Sequence, residues 1–253
     1  YYHKIDPVYS TQKPWVAEGE RWDWVAIYDY QRDPEGNIVH GSNGFPLVNK
    51  FTTLKGYSEP DWIWGLSTSV NWKGITLSIT IDGRVGGVGY SMTDQAMWNS
   101  GAHIDSDNQY RYEEVVNNNK TFIGQGVKVV SGKAEWDANG NVIMDNRVFA
   151  PNDKVVSYQD YMMNTNPYAS GDNKRAQNWF DKTFIKLRDL SISYEIPQSV
   201  CQKIGMKGAS VGFVGQNLLM WAKEFRFSDP DKVQDALSSP SIRYMGFNVK
   251  FDF

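Results

Sequence analysis

Ser241-Ile-Arg-Tyr-Met-Gly-Phe-Asn-Val-Lys-Phe-Asp-Phe253 is the stretch on which the reading of the fold turns. Phe247, Val249, Phe251 and Phe253 occupy every second position, and Gly246, Asn248, Lys250 and Asp252 fill the gaps. Successive side chains of a strand point to opposite faces, so this ribbon has one apolar wall and one polar wall. Two architectures use such a ribbon. One is the half-buried strand of an antiparallel sandwich; the other is a transmembrane barrel strand set between lipid and a wet lumen. The ribbon alone leaves both open.

Further back, Asp61-Trp-Ile-Trp-Gly-Leu-Ser-Thr-Ser-Val-Asn-Trp72 puts Trp62, Trp64, Leu66, Val70 and Trp72 on even positions and Gly65, Ser67, Ser69 and Asn71 on odd ones. Lys73-Gly74 reads as a tight turn. Ile75, Leu77, Ile79 and Ile81 then alternate with Thr76, Ser78, Thr80, Asp82 and Arg84. The pair predicts a hairpin whose strands match the ~9–11 residues that a tilted strand needs to cross a bilayer. Its aromatics gather at strand ends, as girdle residues do. Thr183 to Pro197 alternates again, with Leu190, Ile192, Tyr194 and Ile196 on one face. Ile185 and Leu187 are out of phase with these, which predicts a bulge between the halves. Pro197 stops the strand, a helical turn containing Cys201 follows, and Ala209 to Trp221 is a further strand. A loosely alternating aromatic stretch around Trp22, Trp24, Tyr28 and Tyr30 brings the expected number of strands to about six, while residues 1 to 20 read as loop.

The connections decide between the two architectures. Counting back from Phe253, the 222–240 connection and the ninety or so residues from about 87 to 182 fall at one end of the strands. The Lys73-Gly74 turn and the 197–208 segment fall at the other. A barrel sorts long loops outside and short turns inside; a sandwich has no reason to. The long loop has turn signals of its own, with Asp137-Ala138-Asn139-Gly140-Asn141 as an Asn-Gly hairpin between 127–130 and 142–144. Tyr110 to Val116 reads as a short helix. The fold class expected is therefore all-β, a portion of a transmembrane antiparallel barrel with long outer loops.

Composition agrees and excludes much else. The 253 residues carry a net charge of −3 and a mean hydropathy of −0.52. No apolar run reaches the ~18 residues of a membrane helix, and barrel strands average out to polar. Near-neutral charge gives no basic footprint for nucleic acid. Cys201 stands alone, so neither a disulfide within the chain nor a cysteine metal site is expected. The first residue is Tyr1 and no leader precedes it, as expected of a mature form, a processed fragment or part of a longer chain. Asp33-Pro34-Glu35-Gly36-Asn37 is turn chemistry and lacks the dense ligand spacing of a calcium loop. His3, His40 and His103 are scattered, with no nucleophile signature or metal-ligand spacing beside them, so neither catalysis nor a cofactor is expected.

The last seventy residues resemble the C-terminal end of the SusC/RagA family of TonB-dependent outer-membrane transporters. The resemblance is carried by Thr183-Phe-Ile-Lys-Leu-Arg-Asp-Leu-Ser-Ile-Ser-Tyr-Glu-Ile-Pro197, by Val214-Gly-Gln-Asn-Leu-Leu219 with Trp221, by Phe227-Ser-Asp-Pro230, and by Ser239 to Phe253. Upstream, Tyr57-Ser-Glu-Pro-Asp61, the hairpin through Gly74, Asp82-Gly-Arg84 and Gly86-Gly87 are similar to the family as well. The resemblance implies the C-terminal segment (residues 1–253) of a 22-stranded barrel, with the plug domain and the TonB-contacting segment outside this sequence. It also implies energised import of a large nutrient, an oligosaccharide foremost and a peptide in some members. The implied partners are a SusD-like surface lipoprotein, TonB with its inner-membrane motor, the barrel-assembly machinery, outer-membrane lipid and a second transporter unit. The implied place is the outer membrane of a Gram-negative bacterium with the C-terminus periplasmic. A surface carbohydrate-binding sandwich is the alternative from another class.

Candidate contacts to such a cargo follow from position. Asp82 and Arg84 lie nearest the outer mouth on the polar face, where a salt-bridged wall is the competing use. Trp98, Trp136 and Tyr158, with Tyr110, Tyr112 and Tyr161, are loop aromatics that suit stacking on sugars or peptides; packing within the loop competes there. Gly246, Val249, Phe251 and Phe253 resemble the C-terminal signal read by the barrel-assembly machinery.

Overall fold

The computed structural model describes residues 2–3, 16–17, 21–49, 53–137, 142–165, 178–232, 235, 237 and 241–253. The chain forms two compact units. One comprises Tyr1–Ser58 with Tyr90–Phe180, the other Glu59–Gly89 with Asp181–Phe253. The chain is mainly β, and among the described residues no helix is long and apolar enough to cross a membrane.

The second unit holds a five-stranded antiparallel sheet. Its strands are β1 (Trp62–Trp72), β2 (Ile75–Val85), β3 (Phe184–Glu195), β4 (Gly208–Ala222) and β5 (Tyr244–Asp252), in the order β5-β4-β3-β2-β1. Register turns sequence alternation into faces. Trp72 pairs with Ile75, Ile75 with Tyr194, Tyr194 with Val211, and Val211 with Val249. The next row on that face is Val70, Leu77, Ile192, Phe213 and Phe247. Between these two rows, on the opposite face, lie Asn71, Thr76, Ser193, Gly212 and Asn248. The apolar face is open: Trp62, Trp72 and Phe247 are 72%, 63% and 85% exposed. On the polar face hydroxyls bridge β1 and β2, Ser69 Oγ to Ser78 Oγ at 2.8 Å and Asn71 Nδ2 donating to Thr76 Oγ1 at 2.7 Å.

Local chemistry sets the ends. Lys73 and Gly74 both have positive φ, 50° and 82°, the pair that closes a two-residue hairpin in step with strand twist. Gly74 O accepts from Glu195 N, and Asp252 O from Lys207 N, each at 2.8 Å. Both short connections and the chain's last strand therefore meet at one end of the sheet. The connections 86–183 and 223–243 leave from the other.

The bulge expected in β3 falls between Leu187 and Asp189, where its register with both β2 and β4 shifts. The extra residue is Arg188. Without it Ile185 and Leu187 would share a face with Ser191 and Ser193; with it every apolar residue from Ile185 to Tyr194 faces the same way. β4 answers with an irregularity at 217–218, where Asn217 has a φ of 51°.

The strand count is corrected from about six to five in this sheet. The aromatic stretch after Trp22 yields only Trp24–Ile27, which pairs with Thr53–Tyr57 in the first unit. Four residues cannot span what the 9- to 15-residue strands span.

The first unit also contains what the long loop builds. Val127–Ser131 runs between Val148–Pro151, antiparallel, and Val39–His40, parallel. Beyond it Val142–Asp145 pairs with Ala134–Trp136 and not with 127–130, the partner expected from the Asn-Gly signal, because 127–131 is already taken by Val148–Pro151; residues 138–141 lie outside the described ones. Of residues 1 to 20, read as loop, only 2–3 and 16–17 are described, and they form a short antiparallel pair. The α-helices described in this unit are α1 (Met92–Ser100), α2 (Gln109–Val116) and α3 (Tyr158–Thr165). The core is aromatic: Phe122 meets Tyr110, Tyr158 and Tyr161 edge-on, while His40 and Phe45 stack on Tyr161.

Candidate functional site

Polar side chains concentrate at the long-loop end of the sheet's polar face. Asp82 pairs with Lys186 in register, and Arg84 with Phe184. Arg188, the bulge residue, donates from Nε and Nη2 to Asp82 Oδ1 and Oδ2 at 2.7 and 2.8 Å. Such a two-pronged guanidinium–carboxylate pair is among the strongest side-chain contacts. The 223–243 connection supplies the rest. Asp229 and Lys186 are buried to 1% and 2% side-chain exposure, with Nζ at 2.5 and 2.7 Å from the two carboxylate oxygens. Asp229 also accepts from the Ser241 hydroxyl and, at 2.9 Å, from Asp231 N. Asp231 takes Arg188 at 2.5 Å, Lys186 at 3.4 Å and Arg84 at 3.3 Å.

Burial raises the proton affinity of Asp229, but hydrogen bonds from Lys186 and Ser241 outweigh it and hold the carboxyl below the usual aspartate range. Asp231 behaves alike: burial is opposed and overcome by Arg188 and Lys186. The network joins a loop to the wall. Breaking a buried pair from one side costs about 3–5 kcal/mol, although an apolar pair of the same volume does as well for stability. What the ions add is a definite docking position for the loop.

Asp82 and Arg84 thus stand among ion pairs, Asp82 engaged on both oxygens by Arg188 and Arg84 making, among the described residues, one ion pair at 3.3 Å. The sequence reading missed Lys186, Arg188, Asp229, Asp231 and Ser241. One signal was there: two cations two positions apart in a strand, and two carboxylates two positions apart in a loop.

The loop aromatics lie in the first unit. Trp98 stacks on His103 with ring centroids 4.1 Å apart, and Trp136 is half-buried with the Arg147 guanidinium 6.0 Å from its ring. Tyr158 is buried, its hydroxyl accepting from Asn108 Nδ2 at 2.7 Å, and Tyr161 is buried against His40. Tyr110 and Tyr112 keep about half their surface exposed, 46% and 53%. Tyr158 serves as a core residue, because its ring faces are covered by Phe122 and Tyr110.

His40 Nε2 and Tyr161 Oη are 2.9 Å apart in the core, and burial pushes the imidazole pKa down. His103 accepts from Asp105 N at Nδ1, so its Nε2 donates to Asp94 at 3.2 Å. Asp33 is the turn residue its neighbours imply: Oδ1 accepts from Glu35 N and Asn37 N, and Oδ2 from Asn37 Nδ2. Among the described residues no group of three His, Cys, Asp or Glu could hold a metal ion.

No protein-family model and no curated protein matches the chain. Among solved structures it is similar to one described as the RagAB peptide importer in the closed-closed state, with a TM-score of 0.49 and 18% identity over 100% of this chain. It is also similar to that importer in the open-open state, with a TM-score of 0.47 and 16% identity over 90% of this chain. The chain spans 22% of the length of each.

Proposed function

We propose that the five strands are a segment of the wall of an outer-membrane β-barrel transporter of the SusC/RagA type, which imports a large nutrient, an oligosaccharide or a peptide. The observation that carries this reading is the sheet with an open apolar face and a hydroxyl-lined polar face. In a sandwich the apolar face would be covered by a second sheet, whereas Phe247 and Trp62 are mostly exposed. In a bilayer that face meets lipid and the polar face meets water. Both edges of the sheet, β1 and β5, are unpaired among the described residues. Five strands cannot close around a lumen, so a barrel requires more strands than the sheet has.

On this reading the end with the short turns is periplasmic, and the 86–183 and 223–243 connections lie outside. The SusD-like lipoprotein would cap the outer end, and TonB would act through a plug. Gly246, Val249, Phe251 and Phe253 would carry the barrel-assembly signal, and a second transporter unit would pair in the membrane. Trp98 and Trp136 would offer ring faces to cargo; Tyr110 and Tyr112 have more open surface for it.

Single cysteines in the whole transporter test the wall. Cys201 is buried and gives little background. In outer membranes a water-soluble maleimide should label Ser69→Cys and Asn248→Cys, and spare Val70→Cys and Phe247→Cys. Equal labelling of both faces, or a folded protein that leaves the membrane without detergent, would sink the proposal. Mass spectrometry of ligand co-purified with the complex distinguishes glycan from peptide.

A further inference from the structure

Beside the ion-pair network the second unit holds a cation that the network leaves out. Lys182 forms no ion pair or hydrogen bond through its ammonium group among the described residues, yet its position is fixed. Its backbone N donates to Gly87 O at 2.8 Å. Its stem crosses Gly89 so closely that a Cβ there would sit 2.9 Å from Lys182 Cδ and 3.3 Å from Phe225 Cζ. Phe184, two positions after Lys182, lies opposite Arg84 in the ladder with β2, and the Lys182 and Arg84 charges repel. Arg84 is held over the Phe184 ring at 5.7 Å, and among the described residues its one ion pair is the 3.3 Å contact to Asp231. Asp231 cannot neutralise both, since Arg188 and Lys186 already draw on it. Asp82 and Asp229 are taken by Arg188 and Lys186. Glu59 and Asp231 act on Lys182 through charge alone, favouring its charged form.

We infer that Lys182 and Arg84 form an anion subsite at the long-loop end of the polar face, taking a carboxylate of the cargo between an ammonium and a guanidinium. A planar carboxylate suits Arg84, whose remaining N–H donors lie in a fixed fork, and Lys182 adds a point charge. Burial, then repulsion from Arg84, pushes the Lys182 pKa down; a bound anion would reverse the second effect. Uronic acids of glycans and acidic side chains of peptides share this chemistry. The inference rests on reading the polar face as the wet one.

The test uses the whole transporter in detergent. Acylation of Lys182 by a water-soluble succinimidyl ester is followed by mass spectrometry, with D-glucuronate, N-acetylglutamate, and the neutral partners glucose and N-acetylglutamine as probes. Slower acylation with a carboxylate but not with its neutral partner supports the subsite. Protection by glucuronate alone identifies sugar acids, and protection by N-acetylglutamate alone identifies acidic peptides. Arg84→Gln should weaken protection about tenfold or more, as loss of a hydrogen bond to a charged group does, and Arg84→Lys should keep part of it. No protection, equal protection by neutral probes, or protection unchanged in Arg84→Gln overturns the subsite. If maleimide labelling of Ser69→Cys and Val70→Cys still differs, the failure belongs to the subsite and the barrel wall stands; if it does not, the barrel reading has failed first.

Discussion

Replacing Asp229 by Ala should release the 223–243 connection from the sheet while the five strands stay paired. Among the described residues Asp229 is the nearest anion to Lys186, which is 2% exposed, and Asp231 Oδ2 follows at 3.4 Å. Removing the carboxylate leaves a buried ammonium nearly alone and deprives Ser241 and Asp231 N of their acceptor. The expected cost is about 3–5 kcal/mol. The ladders of β2, β3, β4 and β5 do not depend on Asp229, so the cost falls on loop docking and raises the open population about a hundredfold to a few thousandfold. Trypsin reads this out after Lys232, three residues along. When opening is fast relative to cleavage, the rate follows the open population and rises by the same factor. Lys186→Met with Asp229→Asn is the decisive companion. It removes the stranded charge and keeps an acceptor oxygen for Ser241, so cleavage should return most of the way to the wild-type rate. A single variant cut no faster than wild type, or a double variant cut as fast as the single, would refute the argument that an uncompensated buried charge sets the loop's position.

The same latch responds to acid. Asp229 and Asp231 titrate below the ordinary aspartate value when docked, so they stabilise docking above that value and lose the contribution as pH falls through the depressed one. Amide hydrogen exchange in 223–243, corrected for the intrinsic pH dependence of exchange, should therefore stay slow at neutral pH and accelerate only below about pH 4. In the proposed barrel wall Val70 meets lipid and Ser69 the lumen, so Val70→Arg should cost about 2–4 kcal/mol in urea unfolding from bilayers and Ser69→Arg far less; equal costs would count against the assignment of faces. A Cβ on Gly83 would lie 2.6 Å from Trp64 Cζ2 and 2.8 Å from Phe184 O. Gly83→Ala should therefore displace the Trp64 ring and cost about 1–3 kcal/mol, visible as a change in tryptophan emission and a lower urea midpoint.

Much of the sheet was legible because alternation is a local property with a period of two. Phe247, Val249 and Phe251 announce a two-faced strand whatever they pair with, and Lys73-Gly74 fixes the register of β1 against β2. Even the bulge was legible, since a change of apolar phase between Leu187 and Leu190 has few physical causes; that Arg188 is the inserted residue needed the register. Tertiary structure alone decided where the charges go. Asp229 reaches Lys186 across 43 positions and Arg188 reaches Asp82 across 106, through contacts that exist only once β2 and β3 are in register and the loop has folded back. It also decided that Tyr158 is a core residue, because an aromatic in a polar segment reads the same whether its ring is covered or open. Side-chain period is written along the chain, whereas ion partners and the covering of a ring depend on residues far away in sequence; the faces were therefore legible and the latch, with Lys182 left beside it, was not.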